Sequence, residues 1–238
     1  SWIHNMKILV TGAAGFIGRN LVFRLKEAGY NELITIDRNS SLADLEQGLK
    51  QADFIFHLAG VNRPVKECEF EEGNSNLTQQ IVDILKKNNK NTPIMLSSSI
   101  QAECDNAYGK SKAAAEKIIQ QYGETTNAKY YIYRLPNVFG KWCRPNYNSF
   151  IATFCHRIAN DEAITINDPS AVVNLVYIDD FCSDILKLLE GANETGYRSF
   201  GPIYSVTVGE VAQLIYRFKE SRQTLITEDV GNGFTRAL

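Results

Sequence analysis

The chain has almost no excess of charge of either sign: 25 basic side chains stand against 27 acidic ones in 238 residues, for a formal net charge of −2 and a pI near 6.0. That balance removes the electrostatic reason to expect a nucleic acid or an anionic membrane as partner and points to small molecules. Cysteine is sparse and unpatterned. Cys68, Cys104, Cys143, Cys155 and Cys182 are odd in number and nowhere spaced C-x-x-C, which argues against a disulfide framework or a metal site and for reduced thiols. No apolar run approaches a membrane span, no signal-peptide core is visible near the start, and there is no internal repeat. The expectation is a soluble, cytoplasmic protein. "SWIHN" before Met6 reads as an expression remnant, and "GNGFTRAL" at the other end reads as the cut edge of a longer protein.

What is present is alternation. Short apolar runs at 7–12, 33–37, 53–60, 93–99 and 129–136 are separated by helical patterns at 16–28, 42–51, 74–89 and 107–122. Near-continuous apolar strands between helices indicate an α/β fold, a Rossmann-type doubly wound parallel sheet covered on both faces. The chain is long enough for one full core. Residues 6–140 are expected to bind a dinucleotide. From 141 to 238 the pattern loosens into a small substrate-binding lobe, with a helix near 147–159, a short strand near 163–166 and a helix capped by Asp179 or Asp180.

The first strand runs into "TGAAGFIG", which sets Gly12, Gly15 and Gly18 between a strand and a helix. Such a turn lets the backbone amides around Ala14, Phe16 and Ile17 approach a pyrophosphate. A turn needed only for tight strand-to-helix packing is the alternative. At the end of the second strand, Asp37 suits an adenosine ribose and Arg38 a 2′-phosphate, so both NAD(H) and NADP(H) stay open. Two solvated turn charges would look the same.

In "AYGKSKAAAEKII" (107–119), Tyr108 and Lys112 stand four residues apart and therefore on one helical face. An ammonium beside a phenol of ordinary pKa roughly 10 favours the phenolate and is expected to bring the tyrosine toward neutral pH. Together "TGAAGFIG", "HLAG" (57–60), "SSS" (97–99) and the Y-x-x-x-K pair resemble the short-chain dehydrogenase/reductase family. "RLPNVFG" (134–140) and "VYIDDF" (176–181) resemble its extended, nucleotide-sugar-modifying branch. "HLAGVNRP", "YGKSKAAAE" and "RLPNVFGKW" narrow this to reductases of capsular polysaccharide synthesis that carry a further C-terminal cupin domain.

The resemblance implies Tyr108 as the proton donor to a sugar carbonyl, Lys112 as the cation that tunes it and holds the nicotinamide ribose, and Ser99 as the hydroxyl that orients the carbonyl. Ser97 is a reserve, because strand alternation puts it on the same side as Ser99. Leu58, Ala59, Gly60 and Leu135 join the implied cofactor site. Asn137 is implied as a substrate contact, and an ordinary turn residue near a strand end is the alternative. The implied substrate is a UDP-linked 4-keto deoxysugar bearing an N-acetyl group, and a homodimer through the helices at 74–89 and 107–122 is the family expectation. A nucleotide-sugar epimerase with tightly held NAD and a non-catalytic dinucleotide sensor are the rival readings.

Three departures refine the reading. Between Asp37 and "DFIFHLAG" there is room for one helix and no strand, so the sheet is expected to be shortened by one strand after the second. Ile100 and Gln101 occupy the positions where the family's dehydratases carry an acid pair, which speaks against dehydration. Val173 and Asn174 replace an arginine expected before "VYIDD". Arg63, Lys141, Arg144 and Arg157 are then the candidate cations for a substrate diphosphate. His57, inside an apolar strand, reads as a satisfied core residue.

Overall fold

The structure is a computed structural model, and it describes residues 5–58, 75–141 and 150–223. The described residues fall into two compact units, one formed by Ser1–Leu135 with Cys182–Phe200 and the other by Pro136–Phe181 with Gly201–Leu238.

The first unit is a parallel sheet. Its strands are β1 (Ile8–Thr11), β2 (Leu33–Ile36), β3 (Phe54–His57), β4 (Ile94–Ser99), β5 (Tyr130–Leu135) and, further along the chain, β8 (Gly196–Tyr197), in the order β2-β1-β3-β4-β5-β8. Between them run α1 (Phe16–Glu27), α2 (Leu42–Gln51), α3 (Leu77–Lys87) and α4 (Ala107–Thr126). Strands β1, β3 and β4 are buried on both faces, which is why they read as unbroken apolar runs rather than alternating ones. One face carries the core of Leu9, Ile55, Ile81, Leu85, Ile94, Ile119, Tyr122 and Ile132. Tyr122 takes its hydroxyl into that core by donating to the Thr92 carbonyl at 2.8 Å.

The helix ends follow from local chemistry. Ser41 caps α2 by accepting from the Asp44 amide at 3.1 Å while the Asp44 carboxylate accepts from the Ser41 amide at 2.9 Å, a reciprocal box of the kind contributing about 1 kcal/mol. The chain passes from β2 through α2 straight to β3, and among the described residues no strand lies outside β2. The sheet is therefore one strand short after the second, as its sequence implies.

The second unit holds a three-stranded sheet in which β6 (Asn137–Phe139) pairs in parallel with β7 (Val172–Tyr177), and β7 pairs antiparallel with β9 (Tyr204–Thr207). Against it pack α5 (Phe150–Ala159) and α7 (Val208–Gln223), around Phe139, Ile158, Leu175, Val211 and Ile215. Helix α6 (Ile178–Leu186) bridges the division of the chain between the units. Two expectations are corrected here. Residues 163–166 are not a strand: Ile164 and Ile166 bury their side chains against the lobe's core without entering a ladder. Asp179 and Asp180 are not caps but lie inside the first turn of α6, where Asp179 accepts from the Tyr177 hydroxyl at 2.9 Å.

His57 occupies the centre of the first unit at 1% exposure. Its Nδ1 shares a 2.7 Å hydrogen bond with Thr11 and its Nε2 a 2.8 Å bond with Thr78, so the neutral ring is fully partnered. Burial first, and the Lys112 charge second, push its pKa down to about 3 from 6.5. As pH falls through 6.5 the unfolded imidazole takes up a proton that the folded one refuses. The stability this group confers is therefore whole above pH 6.5 and lost on acidification. Between pH 7 and 5 the loss should be about 2 kcal/mol. Urea unfolding at the two pH values should show that loss in the native chain and a smaller one in His57→Gln; equal losses would refute it.

Candidate active site

In a parallel sheet every strand ends on the same edge, and the candidate residues gather there. The turn after β1 holds Gly12 at φ 66°, a left-handed conformation that glycine adopts without strain. A Cβ on Gly18 would lie 2.0 Å from the Gly12 carbonyl oxygen, so only glycine lets α1 start this close to the turn. Gly15 is the helix N-cap and brings no side-chain acceptor, and the first turn carries no acidic residue. The amides of Phe16, Ile17 and Gly18 thus have no partner within the helix, and the positive end of its dipole is uncompensated. That is the chemistry of a pyrophosphate site, and the turn fits a dinucleotide.

The end of β2 is tied to this turn by the Ala13 amide, which donates to the Ile36 carbonyl at 3.2 Å. Asp37 follows directly. One of its carboxylate oxygens accepts from the Asn39 amide at 2.8 Å, and Arg38 beside it is exposed. The Leu58 amide, just beyond β3, donates to Thr11 Oγ1 at 3.0 Å. Leu135 is the register partner of Ser99 and ends β5.

Ser99 closes β4 and begins a single 3-10 turn (Ile100–Glu103), its Oγ accepting from the Gln101 amide at 3.1 Å. Asn106 then caps α4 by accepting from the Gly109 amide at 2.7 Å. The tight loop demanded by the short spacing between Ser99 and Tyr108 is this turn plus cap. It sets the Ser99 hydroxyl against the Tyr108 phenol in a hydrogen bond, with Lys112 Nζ 5.8 Å from the centre of the same ring. Lys112 is 6% exposed, and its ammonium donates to the Ser97 carbonyl at 3.5 Å.

The electrostatics differ from expectation in one respect. Burial raises the Tyr108 pKa above its ordinary value, with the Ser99 hydrogen bond opposing, so the phenol is not drawn toward neutral pH. Lys112 bears the other half of the correction: burial lowers it to about 8, with the Glu116 carboxylate pulling upward. At pH 7 the pair is a neutral phenol beside a charged ammonium.

The remaining candidates are scattered. Ala59, Gly60, Arg63 and Arg144 lie outside the described residues. Asn137 begins β6 and Lys141 follows that strand, both in the second unit. Arg157, at the end of α5, is drawn into its own loop, donating to the Ala163 carbonyl at 3.3 Å with Glu162 at 4.0 Å. It is a local clasp here, because the following loop folds back over the last turn of its helix. Asn174, at the position of the absent arginine, accepts from the Ser205 hydroxyl at 2.6 Å and so joins β7 to β9.

Sequence reasoning passed over Glu116. It stands one turn beyond Lys112 and is 2% exposed, held by Ser98, Arg134 and Tyr197. The signal was the same i, i+4 spacing that singled out Lys112. Among the described residues there is no cluster that could hold a metal ion, and no helix is long and apolar enough to cross a membrane.

Residues 8–200 match the NAD dependent epimerase/dehydratase family. The chain is 50% identical over 234 residues to a UDP-2-acetamido-2,6-beta-L-arabino-hexul-4-ose reductase of Pseudomonas aeruginosa, covering 98% of this chain and 63% of that protein. The crystal structure of the capsular polysaccharide assembling protein CapF from Staphylococcus aureus superposes with a TM-score of 0.86 at 41% identity, over 98% of this chain and 63% of that one. The chain thus spans less than two thirds of either relative. The UDP-glucuronic acid 4-epimerase of Bacillus cereus in complex with NAD, at 20% identity, TM-score 0.81 and coverage of 90% and 85%, shares the fold. The chain belongs to the NAD dependent epimerase/dehydratase family, the extended short-chain dehydrogenases/reductases.

The contact between turn and helix is tested at Gly109, next to Tyr108. A Cβ there would meet the Gln101 carbonyl oxygen at 2.2 Å and that of Cys104 at 2.6 Å, both backbone atoms. Gly109→Ala should therefore push the start of α4 off the turn and separate Tyr108 from Ser99. A misplacement of this order costs roughly a hundredfold in turnover. Steady-state kinetics within threefold of the native chain would show that the phenol does not depend on this contact.

Proposed function

We propose that this member of the NAD dependent epimerase/dehydratase family reduces the keto group of a nucleotide-linked deoxysugar, using NADPH. The observation that carries the reading is the meeting of a hydroxyl, a neutral phenol and a buried ammonium in the same unit as a glycine turn built for a pyrophosphate. The reductase of Pseudomonas aeruginosa, half identical to this chain, supports a UDP-linked 4-keto sugar with an N-acetyl group. The likeness to CapF supports a place in capsular polysaccharide precursor synthesis.

A reduced nicotinamide dinucleotide, when bound, supplies the hydride that no side chain can. The chain's own residues do the rest. The amides of Phe16, Ile17 and Gly18 would hold the diphosphate, Asp37 would meet the adenosine ribose, and Arg38 would take the 2′-phosphate. Tyr108 keeps a proton at Oη for the sugar oxygen, and the Ser99 hydroxyl, already hydrogen-bonded to that phenol, fixes where the oxygen sits. Lys112 contributes a positive field that favours charge arriving on the phenol oxygen as the proton leaves, and proton transfer of this kind contributes on the order of a hundred- to ten-thousandfold.

Tyr108→Phe keeps the ring and removes the proton. Turnover should fall at least about a hundredfold with dinucleotide affinity little changed. Turnover within threefold of the native chain would end the assignment.

Cofactor handling separates reductase from epimerase. An epimerase keeps its dinucleotide through the cycle, whereas a reductase exchanges it each turnover, and the sheet's short edge beside β2 leaves the adenine side open. The purified protein should bind NADPH reversibly, with micromolar rather than nanomolar affinity, about −8 instead of −12 kcal/mol. Stoichiometric NAD surviving gel filtration would make the epimerase the better account. Arg38→Ala should weaken NADPH more than NADH in the same titration, and equal weakening would reduce Arg38 to a surface charge.

A further inference from the structure

Two charged side chains are buried one helical turn apart on α4: Lys112 at 6% exposure and Glu116 at 2%. They dock on consecutive residues of β4. Lys112 donates to the Ser97 carbonyl at 3.5 Å, and Glu116 accepts from the Ser98 hydroxyl at 2.5 Å. Glu116 accepts further from Arg134 of β5, through Nε at 3.0 Å and Nη2 at 2.7 Å, and from the Tyr197 hydroxyl of β8 at 2.7 Å. Arg134 in turn reaches Glu103 of the 3-10 turn at 2.9 Å, and its guanidinium carbon lies 4.7 Å from the centre of the Tyr197 ring. The network thus ties α4, β4, β5, β8 and the turn below Tyr108 to a single carboxylate.

Such an investment of hydrogen bonds in one acid needs a reason, because a buried ion pair is seldom worth more to stability than an apolar packing of the same volume. The reason lies one turn back. Residues four apart on a helix are side-chain neighbours, so Glu116 is the acid set beside the Lys112 ammonium. We propose that Glu116, fixed by Arg134, Ser98 and Tyr197, is the counter-charge that holds Lys112 as a buried ammonium and so positions it for Tyr108 and the cofactor. Glu116 touches neither; it is a positioning residue, and this role rests on the reductase reading of Lys112.

The groups facing Lys112 can be enumerated from the elements packed on it. Helix α4 supplies Tyr108 and Glu116, β3 supplies the neutral His57, β4 supplies only serines, and β5, β8 and the 3-10 turn supply Arg134, Tyr197 and Glu103 through Glu116. Burial pushes Lys112 down to about 8, and Glu116 is the attraction opposing it. Burial also acts to raise the Glu116 carboxyl, but the hydrogen bonds from Arg134, Ser98 and Tyr197 outweigh it, and the group stays ionised below the usual carboxylate range. The two groups therefore act on Lys112 in opposite senses: Glu116 favours the ammonium, and Arg134, which holds that carboxylate, disfavours it by occupying Glu116.

The test uses that opposition. The lysine side chains are labelled with carbon-13 at Cε, Lys112 is assigned by its absence in Lys112→Arg, and its titration is followed by NMR in the chain without dinucleotide. Glu116→Gln should lower the Lys112 midpoint by about one pH unit, a tenfold fall in the ratio of ammonium to amine at fixed pH. Arg134→Met should raise it, and the double variant should return toward the native midpoint. Structural damage alone would not move the two single variants in opposite directions. Midpoints that do not move, or that move the same way in chains with native-like melting, overturn the proposal. Should Glu116→Gln not fold, an unmoved or lowered midpoint in Arg134→Met overturns it alone. NADPH affinity measured at pH 6 and 8 is the second readout, in which Glu116→Gln should lose affinity mainly at pH 8. A native chain that binds no dinucleotide at either pH would instead sink the reductase reading while the lysine titration still decides the charge coupling.

Discussion

Parallel strands end on one edge of their sheet, and that constraint organises everything else in this chain. With β2, β1, β3, β4 and β5 all running the same way, the residues that end each strand or follow it are delivered to a common rim: Gly12, Asp37, Leu58, Ser99 and Leu135. The rim is also where the order of the sheet reverses, because the chain steps outward from β1 to β2 and then crosses back past β1 to β3. Ligands of doubly wound sheets bind in the crevice such a reversal opens. The glycine turn lies at that point, so its place beside the hydroxyl of Ser99 on one rim is a consequence of topology before it is one of any single side chain.

What topology does not provide is the second half of the chemistry, which α4 must carry to the rim. Helix α4 buries the stem of Lys112 against β4, and burying an ammonium costs several kcal/mol unless it is compensated. Here the compensation is local: a backbone carbonyl of β4 and an acid on the next turn. The same strand supplies partners of two kinds because its serines alternate. The Ser98 hydroxyl meets the helix's carboxylate, while Ser99 turns its own toward the phenol. Three consecutive serines in an otherwise apolar strand make sense as one surface shared between a structural and a chemical face.

How much of this could be read from the sequence divides along the same line. Strands β1, β3 and β4 were legible because burial on both faces writes an unbroken apolar run, and the glycine turn because only glycine tolerates both the positive φ of Gly12 and the contact at Gly18. The missing strand was legible as a length, since "NSSLADLEQGLKQ" holds one helix and no more. In the second unit the helices at 150–159 and from 178 were legible but the strands were not. Its β7 begins at an exposed Val172 and pairs with a strand some thirty residues away, and β9 has no fully buried residue, so neither writes a periodic signal. Ile164 and Ile166 wrote one without a ladder. Glu116 and Arg134 were illegible for a different reason: an acid on a helix and an arginine near a strand end look like solvent-facing residues until the tertiary contact is seen. The clue was that Arg134 interrupts a strand otherwise apolar on both sides.

The charge state of the central pair gives the arrangement a direction. A tyrosine whose pKa had been drawn toward neutrality would serve equally as acid and base, as a reversible exchange of hydride requires. Tyr108 instead sits in surroundings whose burial outweighs the hydrogen bond from Ser99, and it keeps its proton. A group that holds a proton tightly until negative charge appears on a neighbouring oxygen is an acid first. The ammonium of Lys112, 5.8 Å from the ring centre, does little to ionise the resting phenol but acts fully on the phenolate formed as the proton leaves. On the proposed reductase reading, a phenol that burial keeps protonated beside a charged ammonium is suited to give its proton to a carbonyl oxygen, and that burial is what the spacing of Tyr108 and Lys112 in the sequence could not display.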